Sequence, residues 1–335
     1  LIKDMKNILN IKSTLIALFA VITFTACESV SSYEDESPSI AFVAVANADF
    51  SVLEAAAVRG GVAGVLSNSN PNDPSGAYTV FAPTNTAFAR LGLNEETLGV
   101  LQVPFLTNTL LYHVSNGNLL SSNITAGGMS ASALGPQRRF IQRGGDLYIN
   151  GSKILATDVD ASNGTVHVID KVMIATGADI VQSAIALQSA NVFINPELSF
   201  LVEAVVYAGL AEALTASPGS PKFTVFAPTD QAFKDLGAAL GLTFNQPSDI
   251  RQLPANVVGQ VLLNHVFVGE KFTSELNAGN VSPLGGDPLT LGAFTEGTLT
   301  VRGVGNNTPA NMVIPDVQTT NGIVHVIDRV LLPNL

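Results

Sequence analysis

NGTVHVID runs from Asn163 to Asp170, and NGIVHVID runs from Asn321 to Asp328. An octapeptide written twice is either a site used twice or one joint of a duplicated module. Duplication demands further matched stretches in the same order. They are present. FSVLEAAAVRGGVAGVL (Phe50 to Leu66) pairs with LSFLVEAVVYAGLAEAL (Leu198 to Leu214), and TVFAPTNTAF (Thr79 to Phe88) pairs with TVFAPTDQAF (Thr224 to Phe233). LLYHV (Leu110 to Val114) pairs with LLNHV (Leu262 to Val266). The offset between copies grows from about 145 to about 158 residues, a period of whole domains rather than of solenoid repeats. The chain is a tandem duplication.

The residue pattern of each block predicts its place in a fold. Phe50, Leu53, Ala57, Val58, Gly61, Val62, Val65 and Leu66 recur at helical spacing, as do their counterparts from Leu198 to Leu214. Each copy is therefore expected to open with one amphipathic helix. YTVFAP and FTVFAP are short strands of β-branched and aromatic residues that end at Pro83 and Pro228. Thr84 or Asn85, and Thr229 or Asp230, then cap a helix that buries Phe88 and Leu91 in one copy, Phe233 and Leu236 in the other. A further helix carries Leu110, Leu111 and His113, matched by Leu262, Leu263 and His265. Beyond it, the alternation in RRFIQRGGDLYINGSKIL and LTLGAFTEGTLTVRGV predicts hairpins with Gly-containing turns. VHVID is the closing strand. Asn163-Gly164 and Asn321-Gly322 ahead of it are expected to supply positive-φ turn residues. GADIVQSAIALQSA (Gly177 to Ala190) has helical spacing, so the connection between copies is short and partly structured.

Only 13% of residues are charged and the formal net charge is −11, which argues against nucleic acid, whose phosphates need clustered Lys and Arg. The one basic cluster, RRFIQR (Arg138 to Arg143), is expected to be the wet face of a strand. At the start of the chain Lys6 and Lys12 precede TLIALFAVITFTA (Thr14 to Ala26). This uncharged run is too short to span a bilayer comfortably and suits the apolar core of a signal peptide. It ends at FTAC, and Cys27 is the one cysteine of the chain, so an internal disulfide is impossible. The stretch resembles a bacterial lipobox, with Phe24 where an aliphatic residue is usual. That resemblance implies lipidation of Cys27, which becomes the mature N-terminus. ESVSSYEDESPS (Glu28 to Ser39) then makes a polar, acidic tether. The expected layout is a signal peptide over residues 1–26, a tether over 27–38, and domains over 39–176 and 177–335. The protein is expected to be exported and lipid-anchored to the bacterial cell envelope, at the periplasmic or surface face of the outer membrane.

The order TVFAPTN-x-AF, then YH, then NG-x-VHVID-x-V resembles the fasciclin-like domain, twice over, from about Ser39 to Leu335. The resemblance implies an α+β fold of two tandem domains, each a β-sandwich or wedge packed with several N-terminal helices. It also implies an extracellular adhesion or interaction role without catalysis. Two candidate partner-binding places come with it. Tyr112-His113 stands at the family's Tyr-His position, where the second copy has Asn264-His265. An Asp-Ile dipeptide precedes the NG turn in members that bind integrins, and here Asp158-Val159 and Asp316-Val317 occupy it. Such a carboxylate could meet a receptor-bound cation. The plainer alternative is a turn aspartate beside a core valine.

All four histidines, His113, His167, His265 and His325, lie in the matched blocks. Each domain has two, far apart in sequence, without a thiol or an HExxH pairing, and zinc needs more. In VHVID, strand alternation puts histidine and aspartate on opposite faces, a poor arrangement for a catalytic dyad. Neither a GxSxG elbow nor a phosphate-binding Gly loop occurs. No metal or other cofactor is expected. His167 and His325 are expected to be structural, each ring satisfying a buried backbone group. The sequence thus reads as a lipid-anchored adhesion or interaction protein binding protein or glycan partners of envelope or matrix. The alternatives are a carrier or sensor of a small apolar or glycan ligand, and a hydrolase with an unrecognised site.

Overall fold

The computed structural model of the chain describes residues 37–188 and 198–334; the leader, Cys27 and the tether as far as residue 36 lie outside them. The first repeat contributes β1 (Tyr78–Pro83), β2 (Val114–Asn116), β3 (Met129–Ala131), β4 (Gln137–Arg143), β5 (Asp146–Ile149), β6 (Ser152–Ala161) and β7 (Gly164–Ile169). After a short β8 (Ile174–Ala175), the second contributes β9 (Phe223–Pro228), β10 (Val266–Val268), β11 (Gly279–Val281), β12 (Leu289–Leu291), β13 (Thr300–Arg302), β14 (Ala310–Gln318) and β15 (Gly322–Ile327). The sheet order β2-β1-β7-β6-β5-β4-β3 recurs strand for strand as β10-β9-β15-β14-β13-β12-β11. In each sheet the two motif strands lie side by side and parallel, β1 on β7 and β9 on β15.

Those central strands are buried on both faces, which is why they read as apolar runs rather than as alternation. Tyr78, Val80, Ala82 and Val166 face the helices, whereas Phe81 and Ile169 face a second core shared with Phe140 and Ile149 of the far strands. The second repeat divides Val225 and Phe226 in the same way. Each domain is thus α+β, with helices over one face of a sheet that encloses a core on the other.

The helices are α1 (Ile40–Ala46), α2 (Ser51–Arg59), α3 (Ala63–Leu66), α4 (Asn85–Ala89) and α5 (Val103–Tyr112), repeated as α6 (Ile180–Ala186), α7 (Ser199–Tyr207), α8 (Ala211–Leu214), α9 (Asp230–Ala239) and α10 (Ala255–Leu263). The single helix expected to open each copy, over Phe50 to Leu66 and Leu198 to Leu214, is in fact two, and α1 or α6 precedes them. Gly61 (φ +70°) separates α2 from α3, and Gly209 (φ +69°) separates α7 from α8, each turning the chain through a left-handed residue. The TN and TD of the matched block divide their labour. Thr84 and Thr229 cap α4 and α9, accepting from Ala87 N and Ala232 N. Asn85 and Asp230 reach back to an earlier helix and accept from Val52 N and Phe200 N.

RRFIQR is not a wet strand face. Arg138 is fully buried: its guanidinium donates to Tyr112 O at 2.7 Å and to Ser130 Oγ at 3.0 Å, and it lies 5.0 Å from the Phe81 ring centroid. Arg139 and Arg143 leave the first repeat altogether. Arg139 grips Glu275 through two nitrogens, at 2.5 and 3.1 Å, and Glu270 at 2.7 Å. Arg143 donates to Ser274 O and Leu276 O and stacks on Phe294. A planar guanidinium can make such bidentate and stacked contacts at once, so a basic run suits an interface as well as a surface. Beside it, Lys171 is 6% exposed and donates to Asp316 Oδ2 at 2.7 Å, Thr273 Oγ1 at 3.0 Å and Gly297 O at 2.6 Å. β8 extends the second sheet by pairing with β14, so backbone hydrogen bonds also cross between repeats. Lys171→Met leaves Asp316 buried without its counter-charge and is expected to cost about 3 kcal/mol or more. Calorimetry should then show the single transition of the intact chain shifted down and split in two. An unsplit, unshifted transition would mean that the repeats do not depend on this pair.

Candidate functional site

The four histidines form two kinds of bracket, each used once per repeat. His113, at the end of α5, bonds through Nδ1 to Thr109 O at 2.7 Å and accepts at Nε2 from Met173 N at 2.9 Å. His265 repeats this with Val261 O at 2.7 Å and Leu331 N at 2.8 Å. These rings clamp a helix end to the segment that follows the closing strand. The strand histidines run the other way round. His167 Nε2 bonds to Leu119 O at 2.8 Å while Nδ1 accepts from Asp158 N, and His325 does the same with Lys271 O at 3.0 Å and Asp316 N. Every ring therefore needs one protonated and one bare nitrogen, the neutral form. The His325 Nδ1 to Asp316 Oδ1 distance of 3.9 Å is accordingly not an ion pair, because that nitrogen already faces a donor.

Of the residues expected to supply positive φ, Gly164 does so, whereas Asn163, Asn321 and Gly322 do not. Asn163 and Asn321 have ordinary backbone and buried side chains. Asn163 accepts from Ile40 N at 2.9 Å and donates to Leu66 O and Asn68 O; Asn321 accepts from Ile180 N at 2.9 Å and donates to Leu214 O. One carboxamide thus ties two helix termini to the start of the closing strand. The glycines are required by proximity. A Cβ on Gly164 would stand 1.9 Å from Tyr78 O, and on Gly322 2.1 Å from Phe223 O, across the parallel strand pair. Gly164 has φ +144°, but Gly322 does not have positive φ, so close approach is the shared cause.

The candidate partner residues separate by burial. Tyr112, His113, His265 and Val317 are interior, out of reach of a partner on the folded surface. Tyr112 donates its hydroxyl to Gln318 across the repeat boundary and accepts from Asn150, and its counterpart Asn264 is also buried. Asp158 and Asp316 both take left-handed conformations (φ +58° and +66°) at irregularities of β6 and β14, where each N–H can turn to its histidine. Their carboxylates are held alike, by backbone N and hydroxyl of Ser121 and of Thr273. Burial alone would raise Asp316, but the Lys171 ammonium leaves it below the usual carboxylate range. What differs is the occupant. Lys171 covers Asp316, while Asp158 is exposed with Val159 half-buried beside it. The sequence carried no sign that Lys171, Arg139 and Arg143 would fill the second copy's socket, since surface and interface arginines look alike in one chain. Among the described residues, no three His, Cys, Asp or Glu side chains gather as a metal would require.

This architecture, with its duplicated brackets, defines a tandem module protein. The family model for the fasciclin domain matches residues 48–175 and 196–333, and the chain belongs to the fasciclin domain family. It is 29% identical over 267 residues to transforming growth factor-beta-induced protein ig-h3 of Sus scrofa, covering 77% of this chain and 35% of that protein. With human periostin it shares 28% identity over 271 residues, 77% of this chain and 29% of periostin. The chain thus spans about a third of the length of these relatives. Protein sll1483 of Synechocystis is 37% identical over 142 residues, 42% of this chain and 75% of that one. A solved FAS1 domain pair from the insect cell adhesion molecule fasciclin I aligns over 76% of this chain and 88% of its own, at 19% identity and a TM-score of 0.38.

The brackets make stability depend on pH. Burial, the largest influence, pushes His113 and His265 down to about 4, against the pull of their backbone acceptors. His167 and His325 are lowered for the same first cause. In the unfolded chain these rings titrate near 6.5. Between those values the unfolded state binds the extra protons, so stability is full above about pH 6.5 and is lost as pH falls toward 4. The loss is roughly 3 kcal/mol for each of the two most depressed rings. Asp316, held low, adds its loss only beneath the ordinary carboxylate range. Melting temperature is therefore expected to be level from pH 8 to about 6.5 and to drop steadily below it. A curve still level at pH 5 would show that the rings are not neutral brackets.

Proposed function

We propose that the chain is an exported adhesion or interaction protein, held to the cell envelope by lipid on Cys27, which binds protein or glycan partners through the outward surfaces of its paired fasciclin domains. One observation carries this reading: the histidines that invite a catalytic or metal role spend both ring nitrogens on the chain's own backbone. Family membership supports an adhesion role, which the outward surfaces would carry. On this reading the domains extend over 39–176 and 177–335, after a leader over 1–26 and a tether over 27–38.

The partner contact we assign is Asp158 with Val159. The second repeat supplies the pattern for it, since there the equivalent carboxylate takes a lysine ammonium while bonded to its Thr273 hydroxyl. A basic side chain of a partner, or a receptor-bound cation, would meet Asp158 as Lys171 meets Asp316. Asp158→Asn removes the charge and keeps a residue that tolerates the left-handed backbone. Proximity labelling on intact cells is expected to lose the partners captured by the wild-type chain, at unchanged melting temperature. Identical labelling would withdraw Asp158 from the binding surface. For the anchor, Cys27→Ser is expected to release the protein from membranes or leave an uncleaved precursor. Unchanged membrane partition together with unchanged gel mobility would remove the lipid anchor.

A further inference from the structure

Each repeat contains an apolar cavity at the same place, between its first two helices and the helix-facing side of the sheet. The cavity under α1 and α2 has a volume of about 190 Å³, and that under α6 and α7 about 130 Å³. Many of their wall residues correspond. Ala44 answers to Ala184, Leu53 to Leu201 and Leu66 to Leu214, and one histidine bracket closes the floor of each. Both histidine nitrogens are already used, so the floor offers a ligand no hydrogen bond. The mouths are apolar as well. Val45 and Val58 are 55% and 66% exposed at one, and Ile185 and Val206 are 42% and 56% exposed at the other.

A packed domain does not keep such a space by default, because voids forfeit contacts that one added methyl group would restore. Here both copies keep it, with alanine on the first helix, although the copies differ at many other positions. Exposed valine and isoleucine at both mouths are the second half of the pattern, since rim side chains facing water gain by contact with an apolar guest. An apolar cavity near this size stays dry and accepts a small hydrocarbon.

We propose that each repeat binds the hydrocarbon part of a small uncharged amphiphile, an alkyl chain lying between helix pair and sheet with its polar end in water. Glu54 stands at the first cavity where Val202 stands at the second, so a carboxylate-headed ligand is disfavoured in the first repeat and tolerated in the second. This site is separate from the Asp158 surface and does not rest on the adhesion reading.

The full chain is titrated with the neutral fluorophore N-phenyl-1-naphthylamine and the probe is displaced with 1-octanol or octanoate. Saturable binding at two sites is expected, with octanol displacing both and octanoate displacing mainly the second. Ala44→Leu and Ala184→Leu each fill one cavity and are expected to remove one site apiece, the double variant binding no probe. Val45→Gln with Ile185→Gln, both at exposed positions, is expected to weaken binding about fivefold. Unsaturable fluorescence, or full binding by a folded double-leucine variant, would overturn the proposal. If the leucine variants fail to fold, unchanged affinity in the glutamine variant overturns it instead.

Discussion

Two parallel strands inside each sheet, buried on both faces, set the terms for everything around them. A parallel pair cannot be joined by a tight turn, so the chain must leave β1, build the rest of the domain, and return as β7. The return has to be held at both ends without water. At its start, glycine lets the strand approach its neighbour and asparagine binds two helix termini. In its middle, histidine reaches across to the loop before β3 and to the aspartate of β6. Each polar side chain serves backbone groups that would otherwise be stranded in an apolar interior. The octapeptide is repeated because the joint is repeated.

Much of this was legible in the residues. The duplication, the strand character of TVFAP and VHVID, and a helix cap at Thr84 or Asn85 and at Thr229 or Asp230 follow from local pattern, and the α+β fold follows from the family resemblance. Three things did not. Helical spacing that runs through Gly61 and Gly209 reads as one continuous helix, because periodicity carries no sign of a left-handed residue. The NG pairs read as turn geometry, which holds for the positive φ of Gly164 but not for Gly322, and the close approach of a strand far away in sequence that both share leaves no local sign. The basic run on β4 reads as wet because one chain's pattern records which face of a strand is polar, not what covers that face.

For the candidate site the division is similar. That histidines would be structural followed from their dispersal and from the absence of further ligands beside them. Which of the aspartates stays open did not follow, since Asp158-Val159 and Asp316-Val317 are nearly identical as text. Only the folded arrangement separates them, by laying Lys171 of one copy in the socket of the other.

That contact is heterologous: the end of the first repeat meets the flank of the second, and a contact of this type could in principle be extended by further units. The copies differ at the residues that make it. Counting from the carbonyls that receive the strand histidines, Leu119 and Lys271, the positions of Glu270 and Glu275 in the second repeat are Asn118 and Asn123 in the first. Likewise β12 reads LTL and has no basic residue where β4 carries Arg138 and Arg139. The second repeat therefore has an acidic socket without a basic strand, and the first a basic strand without an acidic socket. Arg329, the counterpart of Lys171, stands exposed beyond β15. This arrangement sets the basic strand of the first repeat in the acidic socket of the second. It leaves the Asp158 flank of the first repeat as the half of the contact without an internal occupant.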